Sequence, residues 1–147
     1  MPGRVEGKVC LITGAAVGLG YADAKLLHEQ GATVVLTDVD PEGEKSAKSI
    51  GERASFMHLD VTSETEWIET IDAVEEQHGR LDVLVNNAGL VKGADIEACT
   101  AELWRLHMSV MADGTFFGCK HAIPLMAASG GGSIINMAST ASTVGIA

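Results

Sequence analysis

The chain has few cysteines, little positive charge and no long apolar run, and each shortage excludes a class of protein. Its 147 residues include three cysteines and carry a formal net charge of -10, with ten basic against twenty acidic side chains. So acidic a chain is not expected to bind nucleic acid or an anionic membrane surface. No stretch approaches the length of a membrane span, and the N-terminus lacks the pattern of a signal peptide. We expect a single cytoplasmic domain with a buried core.

The cysteines and histidines do not form the pattern of a metal site. Cys10, Cys99 and Cys119 are widely spaced and include no C-x-x-C pair, so we interpret them as reduced core thiols. His107 and His121 lie fourteen residues apart on one predicted helix. Because no carboxylate or thiol is placed to complete a ligand set, structural or surface roles are favoured, and no metal is expected.

Short runs rich in Val, Ile, Leu and Thr alternate with helical patterns along the chain. We predict strands at 8–13, 33–37, 54–59, 81–85 and 133–135. Helices are predicted at 19–30, 41–49 and 63–78, and from 101 to about 128, where Pro124 would kink or end the helix. The third helix begins at Ser63 with Glu66 three residues later, the pattern of a capping box. Strands that are apolar throughout are typical of parallel sheets, so the order predicts an α/β, doubly wound parallel sheet.

Three glycines follow the first predicted strand. Gly14, Gly18 and Gly20 have the spacing G-x-x-x-G-x-G and precede a helix. Without Cβ atoms they allow the backbone to turn sharply and to approach a pyrophosphate, where the helix N-terminus offers free N–H groups. A glycine turn with a purely structural role is the alternative.

Asp38 ends the second predicted strand, eighteen positions after Gly20. A carboxylate at that point can accept hydrogen bonds from both hydroxyls of an adenosine ribose, and it would repel a 2′-phosphate. No Arg or Lys follows until Lys45. The sequence therefore predicts NAD as the cofactor rather than NADP, unless Asp38 is only a solvated turn residue.

Four motifs in order resemble those of the short-chain dehydrogenase/reductase family. They are TGAAVGLG at 13–20, LDVT at 59–62, NNAG at 86–89 and GGSIINMAS at 131–139. The resemblance implies a Rossmann fold, a nicotinamide cofactor, and hydride transfer between a secondary alcohol and a ketone, often in a homotetramer. It also implies that the fourth helix forms a dimer interface, toward which Trp104, Phe116 and Phe117 would face.

The resemblance also implies a role for each residue that matches a family motif. The glycine loop would line the pyrophosphate, Asp38 the adenosine ribose, the 60–61 pair the adenine, and the NNAG motif the ribose next to nicotinamide. Thr13 and Asn87 would tie the fourth strand to its neighbours, although the two asparagines could also form a simple strand-ending turn. The implied cofactor-binding residues are Gly14, Val17, Gly18, Leu19, Gly20, Asp38, Asp60, Val61, Asn87, Ala88 and Gly89.

Ser139 matches the family's serine that hydrogen-bonds the substrate oxygen, and it is the one catalytic residue that the resemblance implies here. A hydroxyl takes up a proton poorly at neutral pH, but it can orient a carbonyl beside a stronger acid. Without the preceding GGSIINM, this serine would be interpreted as an ordinary residue of a surface loop.

Two features depart from the family pattern. The catalytic Y-x-x-x-K motif normally begins beyond the position of Ala147, and the only tyrosine, Tyr21, is on the wrong helix, so Tyr21 and Lys25 are interpreted as an i,i+4 surface pair. The family's helix asparagine falls at Met111, whose thioether cannot replace an amide. We therefore expect this chain alone to be inactive, with its sheet truncated after the fifth strand and an apolar edge exposed.

Two other hypotheses remain open. Met111 favours a non-catalytic NAD-binding protein of the same fold. A Rossmann protein that binds another adenosine ligand, such as S-adenosylmethionine, is disfavoured by the NNAG and GGSIINMAS motifs. Met108, Met111 and Met126 would pack in the core or against another subunit.

Overall fold

A computed structural model describes residues 3–140 of the chain. The predicted truncation of the sheet after its fifth strand concerns residues outside this range. The elements, in chain order, are β1 (Val9–Thr13), α1 (Gly18–Glu29), β2 (Thr33–Asp38), α2 (Gly43–Ile50), β3 (Ala54–His58), α3 (Glu64–His78), β4 (Val83–Asn86), α4 (Ala101–Met108), a π-helical turn (Ser109–Asp113), α5 (Gly114–Ala128) and β5 (Ser133–Asn136).

The described strands form one parallel sheet in the order β3-β2-β1-β4-β5. β1 lies at the centre and pairs in parallel with both β2 and β4. The chain therefore winds outward in one direction from β1 to β3 and then crosses back to β4. Ligands of open α/β sheets bind at the carboxyl edge where the order reverses, which here is between β1 and β4. The predicted doubly wound α/β sheet is confirmed.

Apolar side chains cover both faces of the sheet. Along β1, Val9 and Leu11 belong to the core beneath α3 and α5, whereas Cys10 and Ile12 belong to the core beneath α1 and α2. All five β1 residues are buried, and Trp67 is fully buried in the first of these cores. This two-sided burial explains why the central strand is apolar throughout instead of alternating with polar residues.

The first turn of α3 differs in one respect from a capping box. The Ser63 Oγ accepts a hydrogen bond from the Glu66 N–H at 3.3 Å, as the motif predicts. The Glu66 carboxylate, however, accepts from the Asp60 N–H at 2.7 Å and not from the Ser63 N–H. It therefore reaches the loop that precedes the N-cap residue.

The predicted fourth helix is helical without interruption from 101 to 128, but it contains a π-helical turn that was not predicted, and it does not end at Pro124. The helix changes to a π-helical turn at Ser109–Asp113, where the Gly114 N–H donates to the Ser109 carbonyl, and α5 then continues through Pro124 without ending there. Proline lacks the N–H that would bond the previous turn, and it lies here in the last five residues of α5. The irregular turn thus precedes the proline in the chain.

Two expectations about individual side chains were also wrong. Cys10 is a buried thiol, but Cys99 and Cys119 are only partly buried and are not core residues. The Tyr21 hydroxyl lies 3.0 Å from the Ser49 Oγ of α2, so its hydrogen-bond partner is on a neighbouring helix and not Lys25 on its own. Within residues 3–140, no helix is long and apolar enough to cross a membrane.

Candidate functional site

A cavity of about 620 Å³ lies at the carboxyl edge of the sheet, where β1 and β4 are neighbours. It receives residues from the glycine loop, from the ends of β2, β3 and β4, and from α4 and the π-helical turn. The described residues that line it include Gly14, Val17, Asp38, Val39, Asp60, Val61, Asn87, Ala88, Gly89, Leu106 and Val110.

Two glycines of the loop are required by close backbone packing. A Cβ on Gly20 would lie 2.4 Å from the Gly14 carbonyl oxygen and 2.6 Å from the Asn87 Nδ2. A Cβ on Gly14, whose φ is +63°, would lie 2.8 Å from the Ala88 Cα. Larger residues would therefore push α1 and the end of β4 apart. Gly18 differs, because a Cβ there would meet no described atom within 4 Å.

The glycine loop is fastened to β2 and α2 by its backbone. The Ala15 N–H donates to the Thr37 carbonyl at 3.0 Å, and the Ser46 Oγ donates to the Ala16 carbonyl at 2.7 Å. The Ala16 N–H donates to the Asp38 Oδ2 at 3.0 Å. These bonds fix the position of the glycine loop at the edge of the cavity.

The Asp38 carboxylate also accepts from the Asp40 N–H through Oδ1 at 3.1 Å. Each oxygen thus has one backbone donor and keeps a second lone pair, since a carboxylate offers about four acceptor positions. The nearest basic residue that follows, Lys45, donates to Glu42 Oε2 at 2.7 Å. Lys45 is therefore paired with an acidic side chain of its own segment.

Thr13 and Asn87 join β1 to the end of β4, which confirms the predicted tie. The Thr13 Oγ1 accepts from the backbone N–H groups of Asn87 and Ala88 at 3.1 and 3.0 Å. In return, the Asn87 Nδ2 donates to the carbonyls of Thr13 and Gly14 at 2.9 and 3.1 Å. The Asn87 side chain is therefore used to hold the two strand ends in place.

The loop after β3 has its polar groups fixed by the start of α3. The Asp60 Oδ1 accepts from the Thr62 N–H and Oγ1 at 2.9 and 2.8 Å. The Val61 carbonyl accepts from the buried Trp67 Nε1 at 3.0 Å. The Val61 N–H has no hydrogen-bond partner among the described residues, and both Asp60 and Val61 line the cavity.

The wall formed by α4 and the π-helical turn was not predicted. Leu106, Ser109 and Val110 line the cavity, but they follow the last cofactor motif of β4 by about twenty residues. Met111 is 46% exposed and is not in the described lining. The Thr115 Oγ1 donates to the Met111 carbonyl at 2.8 Å.

The structure does not bring every predicted site residue into the cavity lining. Gly18, Leu19 and Gly20 form the first turn of α1, next to Val17, but are not among the described lining residues. Ser139 is exposed and follows β5 by three residues, at the same carboxyl edge as Asn87. It too lies outside the described lining.

Other polar clusters of the described residues lie away from this cavity. The Glu64 Oε1 accepts from Lys120 Nζ at 2.6 Å and pairs with His121 Nε2 at 2.9 Å, linking α3 to α5. The bond from Lys120, followed by that from His121, lowers the pKa of Glu64. His107 Nδ1 bonds the Leu103 carbonyl at 2.8 Å. No group of three potential metal ligands occurs in the part of the chain that the structure describes.

Comparison with known proteins gives the same assignment as the geometry. Residues 8–147 match the family model for short chain dehydrogenase. The chain is 41% identical over 143 residues to 3-beta-hydroxysteroid dehydrogenase of Comamonas testosteroni, covering 97% of this chain and 56% of the relative. It is 42% identical over 149 residues to NADP-dependent (R)-specific alcohol dehydrogenase of Lentilactobacillus kefiri, covering 99% and 59%.

A third relative, trans-4-hydroxycyclohexanecarboxylate dehydrogenase of Sinomonas cyclohexanicum, is 41% identical over 152 residues, covering 97% of this chain and 58% of the relative. The chain thus spans little more than half the length of these relatives. Its parallel sheet, its glycine loop at the carboxyl edge and the family match over residues 8–147 lead to one conclusion. The chain belongs to the short-chain dehydrogenase family.

Proposed function

We propose that this chain is the NAD-binding part of an oxidoreductase that interconverts a secondary alcohol and a ketone. The observation that carries the proposal is the single cavity whose lining combines the glycine loop, Asp38, the 60–61 pair and the NNAG segment. These elements are far apart in sequence, and the sheet topology brings them together at one edge.

The glycine loop and the N-terminus of α1 would bind a pyrophosphate through backbone N–H groups, with no basic side chain. The N-cap of α1 is Val17, which makes no side-chain capping bond, so the first N–H groups of the helix remain for an anion. A Cβ built on Gly18 would meet no described atom within 4 Å, so the space beside this residue is open. Gly14, Val17, Gly18, Leu19 and Gly20 would hold the pyrophosphate by backbone contacts and the helix dipole.

Asp38 supports NAD in preference to NADP. Its carboxylate is fixed by the N–H groups of Ala16 and Asp40 and still has lone pairs for the two ribose hydroxyls. A 2′-phosphate would face this negative charge, and Lys45 is already paired with Glu42. The relative from Lentilactobacillus kefiri is NADP-dependent by name, so the preference is specific to the residues of this chain.

At the other end of the cavity, Asn87, Ala88 and Gly89 would contact the ribose next to nicotinamide. The nicotinamide, when bound, supplies the hydride acceptor or donor. Ser139 would hydrogen-bond the oxygen of the alcohol or ketone and orient it. Because Tyr21 is bonded to Ser49 and is the only tyrosine in the sequence, these 147 residues alone would not turn over substrate.

A titration of the 147-residue chain with NADH, NADPH and S-adenosylmethionine tests the proposal. NADH is expected to bind most tightly, and the chain is expected to produce no NADH from NAD and a panel of secondary alcohols. Binding of S-adenosylmethionine alone would contradict the assignment. Robust NAD reduction by a polypeptide verified by mass to end at Ala147 would contradict the expected inactivity.

The second candidate function is a non-catalytic NAD-binding protein of the same fold. Met111 favours it, because it stands where the family has an asparagine and is not in the described cavity lining. Appearance of turnover in a longer native chain carrying Y-x-x-x-K would exclude this candidate. If the chain does not bind NADH, both candidate functions are excluded.

A homo-oligomer formed through α4 and α5 completes the proposal. Trp104 and Phe116 lie on these helices and are 61% and 58% exposed. Large exposed apolar side chains of this kind are typical of surfaces that contact another protein. Phe117, by contrast, is partly buried and packs against the core. Met126 is buried in the core, whereas Met108 is exposed. Free thiols at Cys10, Cys99 and Cys119 support a reducing compartment such as the cytoplasm.

A further inference from the structure

We propose that Glu66 is a positioning residue for the adenine end of the cavity. It holds the loop formed by Asp60 and Val61 so that this loop presents one hydrogen-bond donor and one acceptor to an adenine ring. The inference rests on the proposed binding of NAD and adds the residue that sets recognition of the base.

The contact between Glu66 and the loop is a charge-assisted hydrogen bond. Glu66 Oε2 accepts from the Asp60 N–H at 2.7 Å, and bonds of this kind are about twice as strong as neutral ones. The Glu66 N–H is itself bonded to the Ser63 Oγ at 3.3 Å, which fixes the start of the side chain. Glu66 is thus anchored in α3 at one end and bonded to the Asp60 backbone at the other.

Nearly every other polar group of the loop already has a partner. The Asp60 carbonyl accepts from the Ser63 N–H at 2.9 Å, Asp60 Oδ1 accepts twice from Thr62, and the Val61 carbonyl accepts from Trp67. Among the described residues, the Val61 N–H and Asp60 Oδ2 have no hydrogen-bond partner. They are the two groups left for a ligand.

This pair of groups matches the edge of adenine. The Val61 N–H can donate to the ring nitrogen N1, and Asp60 Oδ2 can accept from the neighbouring exocyclic amine. Hypoxanthine has an oxygen in place of the amine and a proton on N1. The Val61 N–H would then face another donor, and Asp60 Oδ2 would face another acceptor. A loop held in this position therefore discriminates between the two bases, because mismatched polar groups are left unpaired.

Glu66 is the side chain whose loss would release the loop without removing its ligand-facing groups. Its side chain is 33% exposed and also pairs with His58 Nδ1 at the end of β3, at 3.2 Å. Trp67, by contrast, is fully buried and belongs to the core. Replacement of Glu66 would leave the Asp60 N–H unbonded, so the loop would shift and the donor and acceptor would no longer be placed together.

The test compares three variants by their dissociation constants for NADH and for reduced nicotinamide hypoxanthine dinucleotide. Glu66→Ala is expected to weaken NADH binding about tenfold, and the preference for NADH over the hypoxanthine analogue is expected to fall toward one. Glu66→Gln keeps an acceptor for the Asp60 N–H and is expected to remain within about threefold of the wild type. Glu69→Ala, an exposed residue of the same helix, is the matched control and is expected to change neither constant.

If the alanine variant does not fold, Glu66→Asp provides the same test. The aspartate keeps the negative charge, but its shorter side chain moves the carboxylate away from the Asp60 N–H. An unchanged preference for NADH in both the Ala and Asp variants would overturn the inference. An equal loss of affinity for both dinucleotides would also overturn it, since it would indicate a general structural role. Failure of the wild type to bind NADH would instead overturn the proposed function together with this inference.

Discussion

The Nδ2 of Asn87 lies 2.9 Å from the carbonyl oxygen of Thr13, so that one side-chain amide joins the end of β4 to the end of β1. The same group donates to the Gly14 carbonyl at 3.1 Å. The amide therefore stabilises the edge of the sheet from which the cavity is built. Its loss would affect both folding and ligand binding.

We predict that Asn87→Asp lowers the free energy of unfolding by about 2 to 3 kcal/mol, because a carboxylate would face two carbonyl oxygens with no proton to donate. Chemical denaturation measures the change. Asn136→Asp is the control, since Asn136 accepts through Oδ1 from Asn86, which an aspartate can also do. Equal stability of the two variants would show that the Asn87 amide does not hold the strands together.

Asp38→Ala is expected to reduce the preference for NADH over NADPH at least about tenfold, because it removes the acceptor for the ribose hydroxyls and the charge that repels a 2′-phosphate. Calorimetric titration with both cofactors measures the ratio. Asp40→Ala, which removes a nearby exposed carboxylate that is not in the described lining, is expected to leave the ratio unchanged. An unaltered ratio in the Asp38 variant would refute the predicted specificity.

Gly20→Ala is predicted to destabilise the protein by about 1 to 3 kcal/mol and to weaken NADH binding, because the new Cβ would meet the Gly14 carbonyl oxygen at 2.4 Å. Thermal unfolding and titration provide the two readouts. Gly93→Ala is the matched control, since its Cβ would meet nothing within 4 Å. If both variants unfold at the wild-type temperature, α1 does not pack on the sheet as closely as described.

Asp82 is predicted to make the stability of the protein depend on acid pH. Burial alone would raise the pKa of this carboxyl, but hydrogen bonds from Arg80, the Val9 N–H and Lys8 outweigh burial and lower the pKa to about 2. Its folded pKa is below the unfolded value, so its contribution, of the order of 2 kcal/mol, is present above about pH 4 and is lost as the pH falls to about 2.

Unfolding free energies of the wild type and of Asp82→Asn, measured from pH 7 to pH 2, test this dependence. The difference between the two proteins should be largest at pH 7 and should shrink toward pH 2. A constant difference across this range would mean that the Asp82 carboxylate does not supply the pH-dependent part of the stability.

The sequence predicted the sheet and the glycine loop because both depend on local patterns. Apolar runs mark parallel strands, and the positive φ of Gly14 requires a glycine. The π-helical turn at Ser109–Asp113 could not be predicted, since its hydrogen bonds span one residue more than those of an α-helix and this change has no amino-acid composition of its own. The cavity wall formed by Leu106 and Val110 was missed for a related reason, because only the fold brings α4 to the end of β4.

The partner of Glu66 illustrates the same limit of local patterns. The S-x-x-E motif indicates the helix start correctly, and it predicts that the Glu66 carboxylate bonds the Ser63 N–H. The bond is made to the Asp60 N–H because the chain turns back at Asp60, which places that donor within 2.7 Å. The Ser63 N–H instead donates to the Asp60 carbonyl at 2.9 Å, so the donor that the motif assigns to Glu66 is already used within the turn.

Amide chemical-shift mapping of the 147-residue chain during titration with NADH identifies the surface that binds the dinucleotide. We predict that the largest changes occur at the backbone amides of Gly18, Leu19, Gly20 and Val61, with no change in the groove between α3 and α5 that Ile68 and His121 line. Shifts confined to that groove, or no shifts at saturating NADH, would contradict the claim that the carboxyl edge of the sheet binds NAD.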